Sequence, residues 1–439
     1  MSVAEQNNNS DKKFVENIEI YAMATDPIYI GTGGYNIGRV DNTIVRDPIT
    51  NVPKIPGSSL AGTWRYYVVL ETIPEIKERI KQKLDEIIES LDTEEEKKNI
   101  LRGNKNKLNT SNFNLLKESI YKVLDLSNSD EDKKIKKNIY ESLKKFFKEN
   151  IFDLDNSSWK LFRGNRFLQI TCAGQDNIPQ ENLTDAPYKT DKDGKTGHCG
   201  HCIVCKGFGF SKKDISWQGM IFFSDLQILF FPVFTMRGTK WITTQGIIES
   251  VELKGYQNSL SENSENNNQN NENLCFVFEK LSENETEGHI NLGWLYLPYK
   301  LDDNEELKKK ILEILEKLPY KLTLKDIIIV PEDLFSHIVN SNLETRTSVS
   351  IDPITGASKE GALFTSEAIP RGTIFYGTIR IFDKKEFEDI ENSLKPLPEV
   401  NDLIKALNDS KHFYETLGIG GMTTRGFGRL VINELKFNS

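Results

Sequence analysis

"IGRVDNTIVRDPITNVPKIPGSSLAGTWRYY", from Ile37 to Tyr67, is the stretch on which the fold reading turns. It holds Asp41 and Asp47, Arg39, Arg46 and Arg65, and the turn Pro56-Gly57-Ser58-Ser59. Such a turn ends extended chain, and Ser58 or Ser59 can cap a helix from near Leu60, with Trp64 and Val68 on one face at i, i+4 spacing. Upstream, "FVENIEIYAMATDPIYIGTGG" mixes β-branched and aromatic residues in near alternation and closes on glycines. That pattern predicts a strand running into a loop.

Downstream the composition changes. From 72 to 155 the chain is rich in Lys and Glu, with apolar residues at helical spacing at Ile76, Ile80, Leu84, Ile87, Ile88 and Leu91. An inserted helical subdomain is expected there, its mixed charges forming a solvated face. The polar run 257–273, "QNSLSENSENNNQNNEN", buries nothing and predicts a disordered loop. Around it, "WQGMIFFSDLQILFFPVFTMRG" and "LCFVFEKLSE" predict strands, and "DDNEELKKKILEILEKL" predicts a helix. The chain ends with a strand ("TIFYGTIRIF"), a helix ("EVNDLIKALND"), a glycine loop and a last strand ("GIGGMTTRGFGRLVINEL"). Strands and helices of this kind at both ends of one chain predict an α+β sheet domain over 1–71 and 156–439, interrupted by the insertion.

Bulk properties narrow the function. The 439 residues are 38% hydrophobic and 28% charged, with a formal net charge of -9. Nothing approaches the 18 or so successive apolar residues of a membrane helix, and the polar, acidic first residues lack signal-peptide features. A cytoplasmic protein with no membrane partner is expected. The acidity counts against a free-standing nucleic-acid binder unless the binding face is locally basic. Five cysteines, three of them within Cys199–Cys205, point to reduced thiols rather than a disulfide framework.

Three segments can carry chemistry. In "GHCGHCIVCKGFGF", Cys199, Cys202 and Cys205 form overlapping C-x2-C pairs flanked by His198 and His201. Thiolates so spaced close around one tetrahedral Zn2+. His198 is the nearest fourth ligand, with His201 and the distant Cys172 as rivals; a redox C-x-x-C and idle thiols are the alternative readings. Four filled positions leave none for water, so a structural Zn2+ is expected. The loop "GIGGMTTRGFGRL" offers five glycines with Arg425 and Arg429, a composition that suits close backbone approach to an anion, or simply a tight turn. Asp41 follows the glycines Gly31, Gly33, Gly34 and Gly38 and precedes Arg46. A carboxylate so placed can hold a hydrated Mg2+ or position an attacking hydroxyl beside a phosphate, although most loop aspartates are turn or ion-pair residues. The five histidines form no acid/base constellation.

Taken together, "DPIYIGTGG", "VDNTIVRDPITNVPKIPGSSLAGTWR", "CGHCIVCKGFGF", "RTSVSIDPITGASKEGALFTSEAIPRGTIFYGTIRI" and "LGIGGMTTRGFGRLVI" resemble, in order, segments of the RAMP superfamily, specifically the backbone subunits of type III CRISPR effector complexes. The resemblance implies an RRM-like, ferredoxin-type palm with a zinc knuckle (about 172–210) and a β-hairpin thumb over about 343–373, stacked on a guide CRISPR RNA beside neighbouring RAMP and other effector subunits. It implies cleavage of target RNA at Asp41 with Mg2+ or Mn2+. It also implies RNA contacts at Gly33, Gly34, Arg39, Arg46, Gly57, Ser58, Ser59, Arg65, Arg346, Gly420, Gly421, Thr423, Thr424, Arg425 and Arg429. Ala61 stands where the family has a lysine and Trp64 where it has a leucine, which removes one phosphate contact. The same resemblance admits a non-catalytic guide-binding subunit, or a guide-processing endoribonuclease of the kind that relies on histidine. RNA bound as an A-form track is recognised by shape and phosphates, so local positive charge suffices in an acidic chain.

Overall fold

The computed structural model describes residues 14–33, 40–72, 162–163, 166–167, 170–174, 198, 202–211, 216–252, 273–281, 285–385, 387, 390 and 397–437. The expected helical insertion and polar loop lie, but for Thr72 and Asn273, outside them. Two compact units are present. One comprises Asn17–Thr63, Phe223–Arg380 and Lys411–Ser439; the other comprises Met1–Glu16, Trp64–Phe222 and Ile381–Ser410.

The first unit is built on a mixed sheet. Its strands are β1 (Val15–Ala24), β2 (Lys54–Ile55), β3 (Leu226–Thr235), β4 (Gly238–Thr243), β5 (Cys275–Val277), β6 (Glu287–Leu292), β7 (Leu295–Leu301), β8 (Ile327–Ile329), β11 (Ile374–Phe382) and β12 (Leu430–Ile432). Between β8 and β11 in sequence, β9 (Glu344–Ile351) and β10 (Ser358–Ala368) form a separate two-stranded ribbon. The strand order in the sheet is β6-β7-β5-β8-β4-β3-β11-β1-β12, with β2 paired to the start of β3. β4 with β8 and β5 with β7 run parallel, whereas β3–β4, β3–β11, β5–β8, β6–β7 and β1–β12 are antiparallel. The mixture of hairpins and crossovers is that of an α+β fold.

Composition explains the centre of the sheet. β3 (LQILFFPVFT) and β11 (IFYGTIRIF) are nearly continuous apolar runs and bury residues on both faces. On one face lies a helix over Glu305–Lys317, which turns Leu307, Ile311, Ile314 and Leu315 inward at i, i+4, i+7 and i+8. Asn304 caps it by accepting the Leu307 amide at 3.1 Å, with Glu305 and Glu306 in the first turn and Lys317 in the last, as the helix dipole favours. These residues pack with Tyr21, Phe230, Ile248, Ile327 and Tyr376, each worth about 1.5–3 kcal/mol when fully buried.

The helix after Pro56 begins at 57, three residues earlier than the serines suggested, and runs to 72. The Leu60 amide donates to the Pro56 carbonyl at 3.0 Å. Ser58 and Ser59 therefore lie inside the first turn and neither is the cap. The cap is Asp225, whose Oδ1 accepts the Gly57 amide at 2.8 Å. Gly57 is required by crowding, since a Cβ there would sit 2.7 Å from the Phe223 carbonyl oxygen. Trp64 and Val68 are both buried, and the Trp64 indole donates to the Leu407 carbonyl at 3.2 Å.

Candidate nucleic-acid interface and thiol centre

Asp41 is exposed at one end of a half-buried strap laid against the ribbon. Its Oδ2 accepts the Thr365 amide at 2.8 Å. The next residue is zipped to β10 on both sides: the Asn42 amide donates to the Thr365 carbonyl (3.1 Å), and the Glu367 amide donates to the Asn42 carbonyl (3.0 Å). Asn42 Nδ2 also donates to Ser366 Oγ at 3.2 Å. One carboxylate oxygen is thus held by the backbone while the side chain stays exposed.

The glycine loop meets the same strand. The Ser366 hydroxyl lies 3.9 Å from Met422 Sδ, so Ser366 touches both the Asp41 strap and the loop. Arg346 in β9 donates through NH1 to the Gly426 carbonyl at 3.3 Å and lies 4.7 Å over the Phe427 ring, while its Nε pairs with Glu344. Arg425 lies 5.9 Å over the ring of Phe364, next to Thr365. Among the described residues Arg425 has no carboxylate partner, so its guanidinium is the one in this group left to an anion.

Left-handed backbone shapes the loop, with Gly418, Gly420, Gly426 and Gly428 all at positive φ and Met422 at φ 59. Gly420 is the tightest position. A Cβ there would stand 2.2 Å from the Tyr29 carbonyl oxygen, the group that accepts the Gly421 amide at 2.9 Å. Gly420→Ala is therefore expected to destabilise the protein by about 2 kcal/mol or more, read as a fall in Tm, because strain adds to the clash. Gly421, Met422 and Thr423 are half-buried; Thr424 and Arg425 are exposed. Gly33, at φ 79, is exposed with open space around it, and Gly34 and Arg39 lie outside the described residues.

Other arginines in the expected contact set are engaged within the protein. Arg429 pairs bidentately with Asp26. The Arg46 guanidinium reaches Glu367 (2.6 Å), Asn340 (2.9 Å) and the Ile44 carbonyl (3.1 Å). Arg65 donates through Nε to the Cys172 carbonyl at 2.7 Å and through NH2 to His198 Nδ1 at 3.0 Å. At the helix start Ser58 is exposed and Ser59 half-buried, while the Gly57 amide is taken by Asp225.

Beneath that helix start is a charge cluster. Lys54 Nζ pairs with Asp225 at 2.7 Å and with Asp47 at 3.2 Å. Desolvation alone would raise the Asp47 carboxyl, but the Thr50 and Ile49 amides and Lys54 outweigh it and hold it below the ordinary carboxylate range. The Asp225 hydrogen bond, against desolvation, leads in pushing Lys54 above the ordinary lysine range. Asp47's contribution to stability is thus complete above the ordinary carboxylate range and is lost as pH falls through its lowered value. Lys54's is complete below the ordinary lysine range and is lost as pH rises through its raised value. Melting curves of Asp47→Asn are expected to lose part of the acid-side slope, and those of Lys54→Met part of the slope on both sides.

In the second unit, Cys172, Cys202 and Cys205 bring their sulfurs within 4.8 Å of one another, all buried. Cys172 sits in a short 3-10 turn, and Cys202 precedes the helix Ile203–Phe208, its Sγ accepting the Cys205 amide at 3.4 Å. Around one tetrahedral Zn2+, sulfurs stand about 3.8 Å apart, so the three need little movement to close on an ion. His198 Nδ1 is 4.0 Å from Cys205 Sγ but faces Arg65, and a guanidinium can only donate, so that lone pair is engaged. Cys199 and His201 lie outside the described residues. Among the described residues this is the one group of three His, Cys, Asp or Glu suited to a metal, and Asp41 belongs to no such group.

Thr365, Ser366, Glu367, Asn340 and Asp225 were not readable as site residues, because each acts across more than 160 positions through a backbone group or a single polar contact. A profile of the RAMP superfamily matches residues 22–431. The CRISPR system Cmr endoribonuclease Cmr4 of Pyrococcus furiosus is 24% identical over 230 residues, which are 50% of this chain and 71% of that protein. The crystal structure of oligomeric Cmr4 from Pyrococcus furiosus aligns with a TM-score of 0.42 and 15% identity, over 97% of this chain and 99% of that one. A chain of the type III-B Cmr-beta complex bound to cognate target RNA gives a TM-score of 0.40 and 12% identity, over 96% of each chain.

Proposed function

From the premise that this chain belongs to the RAMP superfamily, we propose that it is a guide-RNA-binding backbone subunit of a type III CRISPR effector complex that cleaves guide-complementary target RNA at Asp41. One observation carries the reading: residues from near the start (Asp41, Asn42), the ribbon (Thr365, Ser366) and the final loop (Met422) meet, and the exposed carboxylate points out from their junction. The sheet around β1, flanked by β11 and β12, serves as the palm and the β9–β10 ribbon as the thumb. The ribbon's tip supports that role. Asp352 accepts the Ile354 and Thr355 amides in a tight turn that leaves Ile354 92% exposed, and Val349, Ile351 and Leu363 are exposed below it. Apolar side chains so displayed can part stacked bases.

In the cleavage step Arg425 holds a backbone phosphate of the RNA, with the glycine-loop backbone approaching closely and Arg346 bracing the loop through the Gly426 carbonyl. The Thr365 amide fixes the Asp41 carboxylate so that its other oxygen faces the scissile linkage. Asp41 is a single exposed carboxylate, a donor set that fits Mg2+ or Mn2+ retaining most of its waters rather than an all-protein cage. Such an ion, when bound, stabilises charge developing on the phosphoryl oxygens. The thiol centre is read as a structural Zn2+ site with Cys172, Cys202 and Cys205 as ligands and Cys199 as the fourth. The partners are the guide CRISPR RNA, target RNA and neighbouring effector subunits.

The test is to assemble the chain with a guide RNA and map cuts on complementary and scrambled targets. Cuts at regular spacing on the complementary strand alone support the reading. No cutting of either, with guide binding intact, leaves a structural subunit, and processing of a guide precursor by the isolated chain would replace the proposal altogether.

A further inference from the structure

Arg46 sits in the segment expected to touch RNA, yet each of its three guanidinium nitrogens has a partner inside the protein. NH2 meets Glu367 Oε1 at 2.6 Å, Nε meets Asn340 Oδ1 at 2.9 Å, and NH1 meets the Ile44 carbonyl at 3.1 Å. Glu367 answers with its other oxygen, which lies 3.4 Å from the Ile44 amide. The Arg46 and Glu367 side chains are only 22% and 13% exposed. Asn340 is itself fixed, donating to the Ser336 and Asn51 carbonyls at 2.8 and 3.0 Å.

We infer that Arg46, Glu367 and Asn340 form a clamp that locks the Asp41 strap to the base of the β9–β10 ribbon, making them positioning residues for cleavage rather than RNA ligands. The inference rests on the reading of Asp41 as the catalytic carboxylate. Glu367 follows Thr365 by two residues in β10, so both side chains leave the strand on one face, and Arg46 holds the strap at one end while Asn42 and Asp41 are hydrogen-bonded at the other. Fastened at both ends, the strap follows any tilt of the ribbon, and the carboxylate keeps a fixed offset from the ribbon's tip. The ribbon then sets which phosphate is cut. A planar fork is suited to this: three acceptors in one plane define an orientation that a lysine cannot.

The test uses Arg46→Gln and Glu367→Gln in the assembled complex. Single-turnover rates, RNA affinity and cut positions at nucleotide resolution are compared with the unaltered chain. Arg46→Gln is expected to slow cleavage at saturating RNA by about 10- to 100-fold, the scale of a displaced reacting group, and to spread cuts over adjacent phosphates while RNA affinity stays unchanged. Glu367→Gln, which keeps the shape and one of the two acceptors, should show the same spreading with a smaller loss, and it carries the test if Arg46→Gln fails to fold. Weakened RNA binding with normal rate and positions at saturation would make Arg46 a phosphate ligand and overturn the clamp, as would normal cutting by both single variants. If Asp41→Asn cuts normally in the same assay, the catalytic reading itself has failed and the clamp with it; if Asp41→Asn is dead and the clamp variants are normal, only the clamp has.

Discussion

Asp41→Asn is expected to slow cleavage of guide-complementary RNA by about 100-fold or more, with guide binding and particle assembly preserved. The asparagine keeps the shape of the side chain and an oxygen that can accept the Thr365 amide, so the strap should stay on the ribbon. What disappears is the negative charge, and with it the ability to hold a divalent cation or take a proton from an attacking oxygen. The measurement is a single-turnover assay on labelled target with saturating Mg2+, run beside a binding titration. Unchanged cutting would remove Asp41 from the chemistry and leave a scaffold that positions RNA for some other group. Asp41→Ala is the weaker test, since it also deletes the acceptor that orders the strap.

The second large effect is expected at the thiol centre. Cys172→Ser should reduce bound zinc from about one per chain to a small fraction of that and lower the Tm by on the order of 10 °C, because ion binding and local folding are one free energy and several kcal/mol are lost together. Cys275→Ser is the control. That thiol is buried in β5, where desolvation pushes it up to about 12, so it remains a neutral, unreactive group and its loss should leave the metal content unchanged. Zinc retained in full by Cys172→Ser would exclude that cysteine from the site. Arg65 adds a finer expectation. It grips the Cys172 carbonyl and His198, so a loss at the centre should free its guanidinium, while Asp225 and the buried Trp64 still hold the helix that carries it.

Much of this architecture was legible in the chain. The apolar runs that became β3 and β11, the amphipathic Glu305–Lys317 helix, and the closing strand after the glycine loop each follow from local periodicity and turn chemistry. What escaped was non-local. The start of the helix at 57 depends on a cap from Asp225, 168 positions away, and no local pattern distinguishes that from a serine cap. The parallel pairings of β5 with β7 and β4 with β8 arise from tertiary packing of short strands, which carry too little sequence to declare their partners. Arginine behaved likewise. Arg429 read as an anion binder from its glycine loop, and Arg46 and Arg65 as RNA contacts through the family resemblance, but whether a guanidinium faces a protein acceptor or an open surface is settled only by what the fold brings opposite it.

The hydrogen bond between Asp41 and the Thr365 amide spans 324 positions. At roughly 5–20 residues per second of translation, the aspartate leaves the ribosome about 15 to 65 seconds before the amide that orients it. During that interval the nascent chain carries an acid with no fixed direction, and the last loop of the junction has not yet been made. The junction proposed for cleavage is therefore a late product of synthesis: a polypeptide that stops short of Thr365 has no amide with which to orient Asp41.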